Sequence, residues 1–201
     1  MKIIDRTQSY TFSKYFDMKI EVRDLAEEFG YNFSRNELNL PQFQGELNRI
    51  NDTKERIKEV LPYVSLNSET ARREILISPI IFDLIHYTKS EVRIEYSVKV
   101  NEQLQSYFDY LIEKEKELLV IEAKKGDLDY GFTQLTAQLI ALDQWERMGD
   151  QEILIGAITT GNIWQFGRLN RQEKQIQQGL DLYRVPDDLD PLMRILVQAL
   201  S

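Results

Sequence analysis

Cysteine is absent from this 201-residue chain, which excludes disulfides and thiolate metal sites. Any metal would have to be held by carboxylates, carbonyls or the single histidine, His86. No long apolar run is present either. The N-terminus, MKIIDRTQSY, lacks the hydrophobic stretch of a signal peptide, and the most apolar-rich segment, residues 75–85, is interrupted by Ser78, Pro79 and Asp83. No membrane segment is expected, and a cytoplasmic location is the default. Basic residues are not in excess: the net charge is −8 and the pI is near 4.9. That balance counts against a generic nucleic-acid coat protein. It leaves a DNA enzyme open, because acidic metal ligands themselves add negative charge and cations can gather on one face. Repeats, low-complexity tracts and clear linkers are also missing.

A hydrophobic fraction of 42% suits one compact unit with a sizeable core. Residues 1–66 read as a helical, aromatic-rich appendage packed on an α/β core that spans 67–201. In the appendage a helix is expected over 21–29, ended by Gly30, with Phe12, Tyr15, Phe16, Leu25, Phe29, Tyr31 and Phe33 docking on the main body. Phe43, Leu47, Ile50, Ile57, Val60 and Leu61 recur at helical intervals, giving one or two helices with a break or second cap at Asn51-Asp52-Thr53. Asn67 or Ser68 can cap a helix running to Thr88, kinked or split at Pro79, with Glu74 at its polar-to-apolar edge and His86 near its end. Residues 91–100 alternate strictly, which predicts a strand with Val92, Ile94, Tyr96, Val98 and Val100 on one buried side. Residues 132–145 predict a helix with an apolar stripe and with Gln134, Gln138 and Asp143 on other faces. ILIGAIT (153–159) has the character of a central strand, 163–169 of a further strand whose glycine suggests a bulge or a close approach, and 180–185 of a last strand before a helix opened by Pro186-Asp187-Asp188.

Chemistry is concentrated between Tyr107 and Lys125, YFDYLIEKEKELLVIEAKK. Two β-prone runs flank an all-charged turn taken as Lys114 to Glu117. Pairing Glu113 with Leu118 and counting back sets Asp109 across from Glu122, with Lys124 on the same face and Lys125 on the other. Like charges facing each other destabilise a sheet. The pair therefore calls for a cation, a proton, or a bend that separates the two. A divalent metal on hard oxygens beside an ammonium would account for all three residues. A solvated sheet face with Lys124 as local counterion would account for them as well.

The order of helix with Glu74, strand, strand with Asp109, strand with Glu122-Ala123-Lys124, helix with Gln134 and Gln138, and strand resembles the PD-(D/E)XK nuclease superfamily. It is similar in particular to uncharacterised members of cyanobacterial type, which carry a short aromatic-rich region before the core. The proline that often precedes the aspartate is absent here, because Phe108 precedes Asp109. The resemblance implies a restriction-endonuclease-like α/β core with a central mixed sheet flanked by helices. It also implies Mg²⁺, or Mn²⁺, held by Asp109, Glu122, the Ala123 carbonyl and Glu74, with Lys124 orienting water or stabilising charge. Gln134 or Gln138 would position the site or contact a phosphate. DNA is the implied partner, and a homodimer is compatible because cutting both strands needs two sites. The alternative is a protein that keeps this fold and acts as a binding or regulatory subunit without catalysis.

Overall fold

Local patterning sorts the chain into alternating helices and strands. The computed structural model describes residues 3–124, 126–147 and 149–201. Two short helices, α1 (Phe12–Asp17) and α2 (Val22–Glu28), lead into strand β1 (Asn32–Asn36). A loop reaches α3 (Ile50–Val60) and a 3-10 turn at Leu61–Tyr63. Next, α4 (Glu69–Arg72) passes through a π-helical turn, Arg73–Ile77, into α5 (Ser78–Thr88). The strands β2 (Glu91–Asn101), β3 (Leu104–Lys114) and β4 (Glu117–Ala123) form a meander, followed by α6 (Leu128–Asp143). The chain closes with β5 (Ile153–Thr159), β6 (Ile163–Asn170), β7 (Gln175–Arg184) and α7 (Leu189–Gln198).

These strands build one seven-stranded mixed sheet in the order β1-β7-β6-β5-β4-β3-β2. β1 and β7 run parallel, as do β4 and β5, and the other neighbours are antiparallel. The parallel β4/β5 step requires a crossover, which α6 supplies. Alternation then gives β3 and β4 two apolar faces. Leu111, Leu118 and Val120 pack on one side with Phe12, Tyr15, Leu25, Leu135 and Leu139. Ile112, Leu119 and Ile121 pack on the other with Ile57, Ile80, Leu84, Leu192 and Leu196. The result is an α/β protein whose sheet is covered by helices on both faces, and the near-continuous apolar runs of β4 and β5 follow from that double burial. Among the described residues, no helix is long and apolar enough to cross a membrane.

Several expectations change in three dimensions. The N-terminal region is more than a helical appendage: Asn32–Asn36 forms an edge strand whose register on β7 runs from Asn32↔Gln175 to Asn36↔Gly179. Asn51-Asp52-Thr53 neither breaks nor caps a helix. It lies inside α3, where Thr53 is buried and donates its hydroxyl to Asp83. Phe43 and Leu47 precede that helix, so their helical spacing reflects burial of a loop on the same core. Pro79, which lacks an N–H, is accommodated at the start of α5 after the π turn, and the Ser78 hydroxyl donates to the Arg73 carbonyl at 2.9 Å. The expected single buried side of β2 is also revised. Val92 packs on the α5 side, Tyr96 and Val98 pack on the α6 side, and Ile94 between them is 58% exposed. The switch occurs at Glu95, which adopts φ 51° and drops out of the ladder with β3. Finally, Gln134 and Gln138 face no solvent, because α1 and α2 cover the outer side of α6 and every residue from Gly131 to Leu142 is buried.

Ser68 does cap the α4 segment, its Oγ accepting the Ala71 N–H at 3.0 Å. Ser68→Ala is expected to cost about 1 kcal/mol, the usual worth of such a cap. A thermal melt would read this as a drop of about 2–4 °C for a chain of this size.

Candidate functional site

The β3–β4 hairpin sets the site. Its register contains the expected Glu113↔Leu118 pair, but Lys114↔Glu117 also pair, so the turn is the two residues Glu115 and Lys116, with Glu115 at φ 53°. The four-residue loop is thus corrected to two without moving the register, because the two outer residues add one rung to the ladder. The ladder runs to Tyr110↔Ile121 and stops one step short of Asp109 and Glu122. At that step the Asp109 side chain takes over from the backbone, its Oδ2 accepting the Ala123 N–H at 2.8 Å.

Asp109 is also the point at which β3 changes sides. Tyr110 belongs to the core under α5, whereas Phe108 packs into the α6 side and stacks on Phe12 with ring centroids 5.5 Å apart. Glu95, its missing partner on β2, makes the matching turn. Asp109 therefore falls at a bend and not on a flat ladder rung opposite Glu122. Asp109 is left partly exposed beside a guanidinium, with Arg73 Nη1 3.9 Å from its Oδ1.

Glu122 lies at the end of β4 and points toward α6, where it is 2% exposed. Gln134 donates Nε2 to its Oε1 at 2.5 Å, and Gln138 donates Nε2 to its Oε2 at 2.6 Å. These two glutamines are one helical turn apart, so they form a clamp on one carboxylate. Lys124 Nζ stands 3.0 Å from Glu122 Oε1 and 5.2 Å from the centre of the Phe16 ring. Burial, reinforced by the nearby charge of Asp109, outweighs the lysine and the amides, and the Glu122 carboxyl is pushed up to about 8. Gln134 Oε1 and Gln138 Oε1 have no hydrogen-bond partner although both are buried. A half-rotation of either amide would turn that oxygen toward a protonated Glu122, so the clamp can serve the neutral acid as well as the carboxylate.

Four of the seven site residues are thereby drawn into one hydrogen-bonded cluster: Glu122, Lys124, Gln134 and Gln138. Asp109 adjoins it through the backbone of Ala123. Glu74 does not join. It is exposed and lines a surface groove with Arg49, Arg56, Ile57 and Phe82. Successive helical residues point about 100° apart, so with Arg73 turned to the sheet its neighbour is turned away. Lys125 lies outside the described residues. Three residues outside the sequence-derived set take part: Arg73, Tyr110, whose hydroxyl accepts from Arg73 Nε at 3.4 Å, and Phe16. Arg73 precedes Glu74 in ARREI, and only the helix phase distinguishes the two; Phe16 is one aromatic among many in its region.

Among the described residues, no three histidine, aspartate or glutamate side chains converge on one point. The remaining oxygen donors still suit Mg²⁺, which keeps several waters and takes one or two carboxylates. Those two are Asp109 and Glu122. In a strand a residue's carbonyl and N–H point to the same edge, so the Ala123 carbonyl is directed, like its N–H, to the β3 side and is a further oxygen donor near Asp109. No family model matches the chain, and no curated protein matches it either.

Proposed function

We propose that this protein is a metal-dependent phosphodiester hydrolase acting on DNA, with Mg²⁺ held by Asp109 and Glu122. The observation that carries this reading is the convergence, where the β3–β4 ladder stops, of a partly exposed aspartate, a buried glutamate with a strongly raised pKa, and a lysine 3.0 Å from that glutamate. A buried carboxylate with a perturbed pKa beside a second carboxylate is an expensive arrangement, and such arrangements cluster at functional sites. The order α5, β2-β3-β4, α6, β5, with β4 and β5 parallel, supports a restriction-endonuclease-like core. DNA as substrate comes from the resemblance to the PD-(D/E)XK nucleases.

Bound at this site, Mg²⁺ would lower the pKa of a coordinated water and polarise a phosphoryl oxygen. Asp109 and Glu122 would hold it, with Ala123 supplying a carbonyl. Gln134 and Gln138 fix the plane of the Glu122 carboxylate, and the hydrophobic shell behind it keeps out bulk water. The Lys124 ammonium, confined under Phe16, is placed to orient the attacking water and to stabilise charge that develops on the phosphate. Its low exposure strengthens that interaction relative to one in water.

A second reading, a catalytically silent fold used for binding or regulation, is favoured by a specific feature: both Glu122 oxygens already have donors and Lys124 already has a partner. Calorimetric titration with Mg²⁺ or Mn²⁺ separates the two. The hydrolase reading expects wild-type binding that Asp109→Ala reduces by at least about tenfold, the loss of one charged ligand being worth more than about 1.4 kcal/mol. A wild-type protein that takes up neither ion would favour the silent fold.

A further inference from the structure

Among the cations near the site, Arg73 is the one whose nearest carboxylate partner is an exposed side chain. Arg72, its neighbour, is tied into the fold by the Leu66 carbonyl at 2.8 Å, the Thr160 carbonyl at 3.0 Å and Asn162 Oδ1 at 3.2 Å. Lys124 is engaged with Glu122 and shielded by Phe16. Arg73 instead reaches the site edge across the Tyr110 ring, with its guanidinium carbon 5.2 Å from the ring centre. Its carboxylate partners are Glu95, at 3.1 Å and with a side chain 66% exposed, and Asp109, at the long distance of 3.9 Å.

Glu95 is the exposed member of this pair while the Arg73 side chain is 17% exposed, so water competes chiefly for the carboxylate, and a half-exposed pair of this kind contributes only modest net free energy. A planar guanidinium, by contrast, matches a phosphate through two parallel hydrogen bonds. The backbone at this point is also unusual. Glu95 sits in mid-strand at φ 51°, a conformation unfavourable for any side chain other than glycine, and this is where β2 leaves the ladder opposite Asp109. The carboxylate of this residue meets Arg73 at 3.1 Å, so a residue in a strained conformation holds the cation beside the candidate metal ligand.

We infer that Arg73 is the phosphate-binding residue of this site, held by Glu95 until a nucleic-acid phosphate replaces that carboxylate. The inference rests on the hydrolase reading for the identity of the ligand, but it concerns binding rather than cleavage. Arg73 is already stacked on Tyr110, so exchange of Glu95 for phosphate needs only movement of an exposed glutamate side chain.

The test is fluorescence anisotropy of short labelled DNA, duplex and single-stranded, with the full chain, in EDTA and with Ca²⁺ replacing Mg²⁺ to prevent turnover, over a series of salt concentrations. Arg73→Ala is expected to weaken binding by about tenfold. It should also lower the slope of log affinity against log salt by about 0.9 for duplex, the signature of one lost phosphate contact. Arg73→Lys should recover part of the affinity, and Glu95→Gln should tighten binding by about two- to fivefold. A merely structural role would not move the salt slope. Unchanged affinity and slope in Arg73→Ala, or no DNA binding by the wild-type protein, would overturn the inference. Should Arg73→Ala lose its cooperative melt, Glu95→Gln decides, and unchanged affinity in that variant counts against the inference. Cleavage that persists with Arg73-independent binding would sink the inference and leave the hydrolase standing. Arg73-dependent binding without Mg²⁺ uptake or cleavage would do the reverse.

Discussion

Replacing Glu122 with glutamine is expected to abolish the main pH dependence of stability between about pH 4.5 and 8. The folded protein holds the Glu122 proton up to about pH 8, whereas the unfolded chain releases it near the ordinary glutamate value of 4.5. The folded state therefore binds more protons in that window, and wild-type stability falls as pH rises through it. The stabilising contribution is fully present below the unfolded value and is lost by the folded one. Its size is on the order of a few kcal/mol, since each tenfold change in proton affinity corresponds to about 1.4 kcal/mol. Glu122→Gln keeps the volume and can still pair with Gln134 and Gln138 by amide rotation, so it should melt higher than wild type at pH 9 and show little slope below it. Urea unfolding at several pH values reads this directly; parallel pH profiles for the two proteins would refute a buried, protonated Glu122. Divalent-cation binding should disappear in the same variant. Mg²⁺ should raise the wild-type melting temperature more at pH 8 than at pH 5, because at the lower pH the ion must displace a proton.

Substitution of Lys124 by alanine carries the second large effect. Nζ is the cation nearest Glu122, and removing a preorganised stabiliser of developing charge lowers turnover by about 10²–10³-fold where such groups act in catalysis. The loss should fall on kcat with KM little changed, since the group is assigned to the transition state and not to ground-state binding. The same substitution leaves Glu122 without its ammonium and vacates the space under the Phe16 ring. Stability above pH 8 should then drop by more than it does at pH 5, where Glu122 is protonated. Cleavage assays with Mg²⁺ and Mn²⁺ on linear, nicked, branched and single-stranded DNA would detect the loss. Activity that survives Lys124→Ala would place any hydrolysis elsewhere on the protein.

The parts of the site that are legible in the sequence are those set by short-range geometry. Strand alternation over 117–123 and the pairing of Glu113 with Leu118 depend on neighbours a few residues away, so counting along the hairpin is enough to bring Asp109 and Glu122 to adjacent positions. The turn is two residues shorter than its charge pattern suggests, but adding a rung to a hairpin ladder does not alter its register. Gln134 and Gln138 share a helix face by spacing alone. That this face meets Glu122, and that no face of α6 is left for solvent, depends on α1 and α2 folding over the helix. Such long-range coverage leaves no periodic trace, because α6 carries apolar and small residues all round and its glutamines read as polar decoration.

Glu74 and Arg73 mark the boundary most sharply. Both are charged, both lie at the same point of the same segment, and the difference between them is one step of helix phase set by a π turn that accommodates Pro79. Composition and spacing determined that this chain is an α/β protein with a charged hairpin between two helices. They also determined that a carboxylate, a second carboxylate and a lysine stand near its open end. Tertiary structure alone decided that Asp109 sits at a bend, partly exposed beside Arg73, while Glu122 is driven into the core, where burial raises its pKa. The reason is physical: pairing along a hairpin is a local property of the backbone, whereas the free energy of a buried charge depends on every group that closes over it.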